Sequence, residues 1–181
     1  LTDSLKFGLD ILFIGINPGL QSSLKNHHFA GPTNAFWPAL CESGLVNEKL
    51  TFEDDVKLLK EYNYGFTNLV ERPSRSISDL SRKEIMLGVP VLKQKISKYR
   101  PKIACFLGKQ IFECFSGKKK FELGLQLEPI THDFDNLEDK FTKSIVLSDY
   151  TKTYLFVTPS TSGRSARFSR QQKIDYFVNV K

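Results

Sequence analysis

The apolar run Ile-Leu-Phe-Ile between Asp10 and Gly15, stopped at once by Gly-Ile-Asn-Pro-Gly at 15–19, restricts this chain more than any other feature. A short run with no polar alternation is a strand covered on both faces, the pattern of parallel sheets. Comparable runs recur at Gly65 to Val70, ended near Pro73, at Lys102 to Leu107 and at Tyr154 to Val157. Helix-like segments lie between them. Phe36 to Ser43 follows a capping Asn34, with Pro38 in the first turn and Gly44 as a stop. From about Ser81 to Tyr99, Ile85, Val89, Leu92 and Ile96 recur at spacings of three and four, and Pro90 predicts a kink. Lys109 to Phe115 ends at Gly117, and Phe168 to Val180 closes the chain with Ile174, Phe177 and Val178 inward. Residues 117–153, with Lys118 to Lys120 and a polar stretch from Thr131 to Lys143, read as a long loop or irregular strands. Strands alternating with helices predict one α/β domain over residues 1–181, built on an open, mostly parallel sheet.

In such sheets the chemistry sits past the carboxyl ends of the strands. That rule selects three loops, 16–34, 67–76 and 158–167. The first is rich in aromatics and rigid turns, His27-His28-Phe29-Ala30-Gly31-Pro32-Thr33-Asn34-Ala35-Phe36-Trp37-Pro38, and suits the wall of a pocket for a flat ligand. A formal charge of +6 favours a polyanionic partner without identifying one. Cys41, Cys105 and Cys114 form no CxxC pair and read as small hydrophobes in a reducing compartment. With three scattered or adjacent histidines, no metal site is expected. The glycine spacing suits neither a dinucleotide nor a nucleoside triphosphate. No apolar run approaches the roughly 18 residues of a membrane span, and there is no signal-peptide pattern, so a soluble intracellular protein is expected.

Taken together, Gly-Ile-Asn-Pro-Gly at 15–19, His-His-Phe with Gly-Pro and Asn-Ala-Phe-Trp at 27–37, Gly-Phe-Thr-Asn-Leu-Val-Glu-Arg at 65–72 and Pro-Ser-Thr-Ser-Gly-Arg at 159–164 resemble the mismatch-specific uracil- and thymine-DNA glycosylases of the uracil-DNA glycosylase superfamily. His28, Asn68 and Arg164 place the resemblance nearer the thymine branch. It implies a three-layer α/β/α domain that flips a pyrimidine mispaired with guanine out of duplex DNA. The glycosidic bond is then hydrolysed without a cofactor, leaving an abasic site. By resemblance Asn17 holds the attacking water, since an amide is no general base at neutral pH. His28 either stabilises the departing base or contacts phosphate. Phe29 stacks on the base, and the backbone of Ile16 and Gly19 meets its edge. Asn68 contacts base or water, or only shapes a turn, and Asn34 aligns with the family although capping explains it fully. Arg164 fills the gap left by the flipped nucleotide. Gly163 lets the backbone approach DNA, Ser160 and Ser162 donate to phosphates, and Arg167, Arg170 and Lys173 extend the positive surface. The expected partner is double-stranded DNA with a G·U or G·T mismatch, bound by a monomer, in the nucleus if the source is eukaryotic and in the cytoplasm otherwise. A non-catalytic damage-binding module is the alternative reading.

Overall fold

A computed structural model of the chain describes residues 1–133 and 150–181. Part of the irregular 117–153 region, residues 134–149, lies outside the described residues. Four parallel strands, β1 (Ile11–Gly15), β2 (Tyr64–Asn68), β3 (Ile103–Leu107) and β6 (Lys152–Thr158), lie in the order β2-β1-β3-β6. Short β4 (Gly124–Leu125) and β5 (Ile130–Thr131) pair antiparallel with β6. The helices are α1 (Leu20–Lys25), α2 (Phe36–Glu42), α3 (Asp55–Glu61), α4 (Arg82–Tyr99), α5 (Lys109–Ser116) and α6 (Arg170–Val178).

The continuous apolar run divides by the two-residue period of a strand. Ile11 and Phe13 pack with Phe36, Leu40, Leu58 and Phe177, from α2, α3 and α6, on one face. Leu12 and Ile14 pack with Val89, Leu92, Ile96, Ile111 and Phe112, from α4 and α5, on the other. This is a three-layer α/β/α sandwich, and β1 at its centre has no solvent-facing side. The parallel register sets Gly15 beside Asn68 and Leu107 beside Thr158, so all four strands deliver their following loops to one edge.

α4 carries Pro90 within its length and starts at a Ser81/Glu84 capping box. Other local expectations change. α6 starts later than its sequence suggests, at a Ser169/Gln172 capping box. Val178 is 45% exposed, because the buried stripe runs through Lys173, Phe177 and Val180 at helical spacing, and Val178 lies one residue round from it. α1 and α3 were not foreseen. α1 buries only Ser22 and leaves Leu24 in solvent, so it carries no apolar periodicity to read. α3 was announced by Thr51 and Asp54, which form a capping box on the 3-10 turn before it. Asn34 does accept from the Phe36 amide at 2.9 Å, but from one residue before the cap, which is Ala35. No helix of the described residues is long and apolar enough to cross a membrane.

Candidate functional site

A cleft of about 780 Å³ opens at the carboxyl edge of the sheet. Its walls include Ile16, Asn17, Gly19, His28, Phe29, Asn34, Asn68, Ser160, Ser162, Gly163 and Arg164, so the loops after β1, β2 and β6 converge there. Its volume lies within the range of ligand pockets.

The first two loops are zipped together beyond their strands. Leu69 N–H donates to Gly15 O, Val70 N–H to Ile16 O, and Ser74 N–H to Pro18 O at 3.1 Å. This ladder fixes Asn17. Its Nδ2 donates to the main-chain oxygen of Arg72 and to Ser74 Oγ, both at 2.8 Å. The Ser74 hydroxyl spends its own hydrogen on Ser76 O at 2.7 Å, so Ser74 can only accept from the amide. Both Asn17 N–H groups are thereby committed, and its Oδ1 is what the side chain can offer the cleft. Arg72 is tied in turn. Its guanidinium donates to the Glu84 carboxylate at the start of α4, and that ion pair with the capping bonds from Ser81 holds Glu84 down to about 2.

Phe29 sits in the left-handed region, φ 55°, a conformation that costs a residue with a side chain roughly 1 kcal/mol or more. One face of its ring stacks on Phe36 with centroids 4.4 Å apart, and Phe66 packs edge to face against it. The strained backbone thus delivers an aromatic platform to the cleft wall. Beside it, a Cβ at Gly15 would come within 2.6 Å of Asn68 Oδ1, so any larger residue there would displace the Asn68 amide. Gly19 needs no such room: a Cβ would meet nothing within 4 Å, and the residue serves as the N-cap of α1. The carbonyls of Ile16 and Gly19 are taken by Val70 and Ser23 amides, which leaves their N–H groups as the main-chain polarity each presents.

His28 is buried, with its ring stacked on Phe66. Its Nε2 donates to the Thr2 carbonyl at 3.0 Å, which places the hydrogen on Nε2. Burial pushes the imidazole pKa below its usual value, so the ring is neutral and its one N–H is already spent. As folded, the Nε2 hydrogen lies on the Thr2 carbonyl, so donation to a departing base would require that bond to be exchanged. Asp55 at the start of α3 organises this pair of histidines, accepting from the His28 amide and from His27 Nδ1, each at 3.1 Å.

The third loop is a turn in which Ser165 N–H returns to Ser162 O at 3.0 Å, with exposed Arg164 at its tip. Ser160 and Ser162 Oγ each accept a loop amide, at 3.3 Å, leaving their hydroxyl hydrogens for a ligand. Gly163 has a requirement within the protein as well: a Cβ would stand 2.1 Å from Thr33 Oγ1. Arg167 is exposed and lies over the Phe168 ring at 5.9 Å. The positive surface is narrower than expected, because Arg170 pairs with Glu42 on α2 and Lys173 is buried. Sequence reading passed over Ser74, Asp55 and the β3–α5 junction, where Gly108, Lys109 and Gln110 also line the cleft. That last segment was legible, being a fourth strand end on the same edge. Among the described residues no group of three His, Cys, Asp or Glu side chains could hold a metal.

Comparison with known proteins agrees with this fold. The sequence model of the uracil DNA glycosylase superfamily matches residues 3–180. A G/U mismatch-specific uracil DNA glycosylase of Schizosaccharomyces pombe is 37% identical over 169 residues, a stretch covering 90% of this chain. The match covers 46% of that relative, so the chain spans about half its length.

Proposed function

This chain belongs to the uracil DNA glycosylase superfamily, and from that premise we propose that it hydrolyses the N-glycosidic bond of uracil mispaired with guanine in duplex DNA. The observation that carries the proposal is the Asn17 amide, fixed through both N–H groups with Oδ1 left to the cleft beside the Phe29 ring. Oδ1 accepts a hydrogen from water and so aims the water's lone pair at the anomeric carbon, while the amide itself takes no proton. Attack follows departure of the base, so the rate depends on how stable the leaving anion is. Uracil and pyrimidines with electron-withdrawing 5-substituents react faster than thymine in this scheme, and thymine opposite guanine is the slow substrate.

The flipped pyrimidine stacks on Phe29, a contact worth about 1–3 kcal/mol in single-strand binders. Its carbonyl oxygens meet the N–H groups of Ile16 and Gly19, and its remaining edge faces the Asn68 amide. Arg164, at the tip of its turn, fills the vacated stack. Ser160, Ser162 and Arg167 contact phosphates, and His28 serves as a neutral wall supporting Phe29 and Phe66. The product is an abasic site. The chain acts as a monomer without a cofactor, in the nucleus if its source is eukaryotic.

Incubation with a G·U duplex followed by alkaline cleavage of abasic sites tests the proposal. Strand breaks at the uracil are expected, and Asn17→Ala should abolish them while mismatch binding persists. A folded, DNA-binding preparation that produces no breaks would leave a damage-binding module as the better reading. Retained turnover in Asn17→Ala would remove the amide from the mechanism.

A further inference from the structure

Lys173 occupies a position on α6 that its helix would ordinarily give to a hydrophobe. It shares one stripe with Phe177 and Val180, and it is 6% exposed. A buried ammonium is costly unless its donors are used, and lysine is among the side chains least often found inside. Burial also pushes its pKa below the usual lysine value. Its neighbours Gln171, Gln172 and Asp175 are all in solvent, so an outward position was open to the charge. The side chain instead reaches across to the third loop, where Nζ donates to the Ser165 main-chain oxygen at 3.1 Å.

Ser165 closes the turn that presents Arg164. The leading flank of that turn is held by the first loop, through Ala35 N–H donating to Thr161 O at 2.8 Å and Gly163 resting against Thr33. On the trailing flank, among the described residues, the bond from Lys173 is the tie from Ser165 to a separate element. We propose that Lys173 is a positioning residue for Arg164: its ammonium anchors the trailing flank of the turn, so that the guanidinium meets the duplex in one orientation. The anchor draws on a carbonyl, so it acts through the turn and not through any contact of its own with DNA. The proposal rests on the reading of Arg164 as the residue that fills the vacated stack.

The test combines amide hydrogen exchange with single-turnover excision from a G·U duplex, on the full chain, for Lys173→Met, Arg164→Ala and the double variant. Lys173→Met keeps the aliphatic stem and removes the donor. Peptides spanning 161–166 should exchange about 10- to 100-fold faster, the range for one lost charge-assisted hydrogen bond, with the sheet unaffected. Duplex excision should fall about tenfold, and adding Lys173→Met to Arg164→Ala should change the rate less than about twofold, because the two share one route. Unchanged exchange in 161–166 would overturn the anchor. A penalty carried undiminished into the Arg164→Ala background would overturn the positioning role. If Arg164→Ala alone left excision unchanged, the reading of Arg164 would fall, while the exchange data would still decide whether Lys173 holds the turn. Should Lys173→Met fail to fold, Lys173→Leu, which also lacks a donor, takes its place in the cycle and is read against the same outcomes.

Discussion

Replacing Ser74 by alanine isolates how much of catalysis resides in the orientation of one amide. The substitution removes one of the two acceptors that hold Asn17 Nδ2 at 2.8 Å and, with it, the hydroxyl that satisfies Ser76 O at 2.7 Å. An uncharged hydrogen bond contributes about 1 kcal/mol net, and a buried group left without its partner costs about 1–3 kcal/mol. The bond to the Arg72 carbonyl survives, so Asn17 keeps a partly defined orientation, and the restoring free energy falls on the transition state, where Oδ1 must aim the water. A barrier raised by about 1–3 kcal/mol slows the step roughly 5- to 150-fold. The assay is single-turnover cleavage of a labelled G·U duplex by excess enzyme, with alkaline strand scission as the readout. Duplex affinity, measured separately, should stay within about twofold, because Ser74 is buried and offers nothing to phosphate. Ser74→Thr, which keeps the hydroxyl, should recover most of the rate. An unchanged Ser74→Ala rate would refute the argument, as would a loss found only in affinity.

Phe29→Ala removes the stacking platform, and single-turnover excision should fall by about 5- to 150-fold, the equivalent of about 1–3 kcal/mol of stacking, whereas Phe29→Tyr keeps the face and should stay within a few-fold of the parent. Loss of activity in both variants alike would mean that the ring's role is packing on Phe36. His132 is buried and donates from Nε2 to Thr153 Oγ1 at 2.7 Å, while burial and, second, the nearby Arg100 lower its pKa from 6.5 to about 4. The unfolded chain therefore takes up a proton first as pH falls: the stabilisation is complete above about pH 6.5 and is lost progressively down to about pH 4. Urea midpoints should decline across that window, and His132→Gln should flatten the decline; identical slopes for the two proteins would count against the assignment.

What could be read in the sequence was what repeats a local rule. The run at 11–14 declared a strand buried on both sides, the spacing of Val89, Leu92 and Ile96 declared a helix, and Gly-Ile-Asn-Pro-Gly marked a loop at the sheet's functional edge. The contacts that make Asn17 specific were not legible. Its partners are a main-chain oxygen at 72, which no residue type signals, and a serine that looks like any turn serine. Lys173 was misread for the opposite reason: a lysine in the first turn of a terminal helix resembles surface charge, and only the packing of Phe177 and Val180 reveals that it points inward. His28 lines the cleft, but its hydrogen-bond partner, Thr2, comes from the first residues of the chain, a pairing that no local spacing encodes.

Asp55 carries a consequence for anyone weighing inherited or engineered variants of this protein. It sits at the head of a helix behind the sheet edge and lines none of the cleft, yet its carboxylate accepts from the amide of His28, the residue next to the Phe29 platform. A ranking of substitutions by distance from the cleft would file Asp55→Ala with harmless changes. Its hydrogen bond to the His28 amide places it one residue from Phe29, the ring proposed to stack on the base, and it belongs with the first substitutions to be screened.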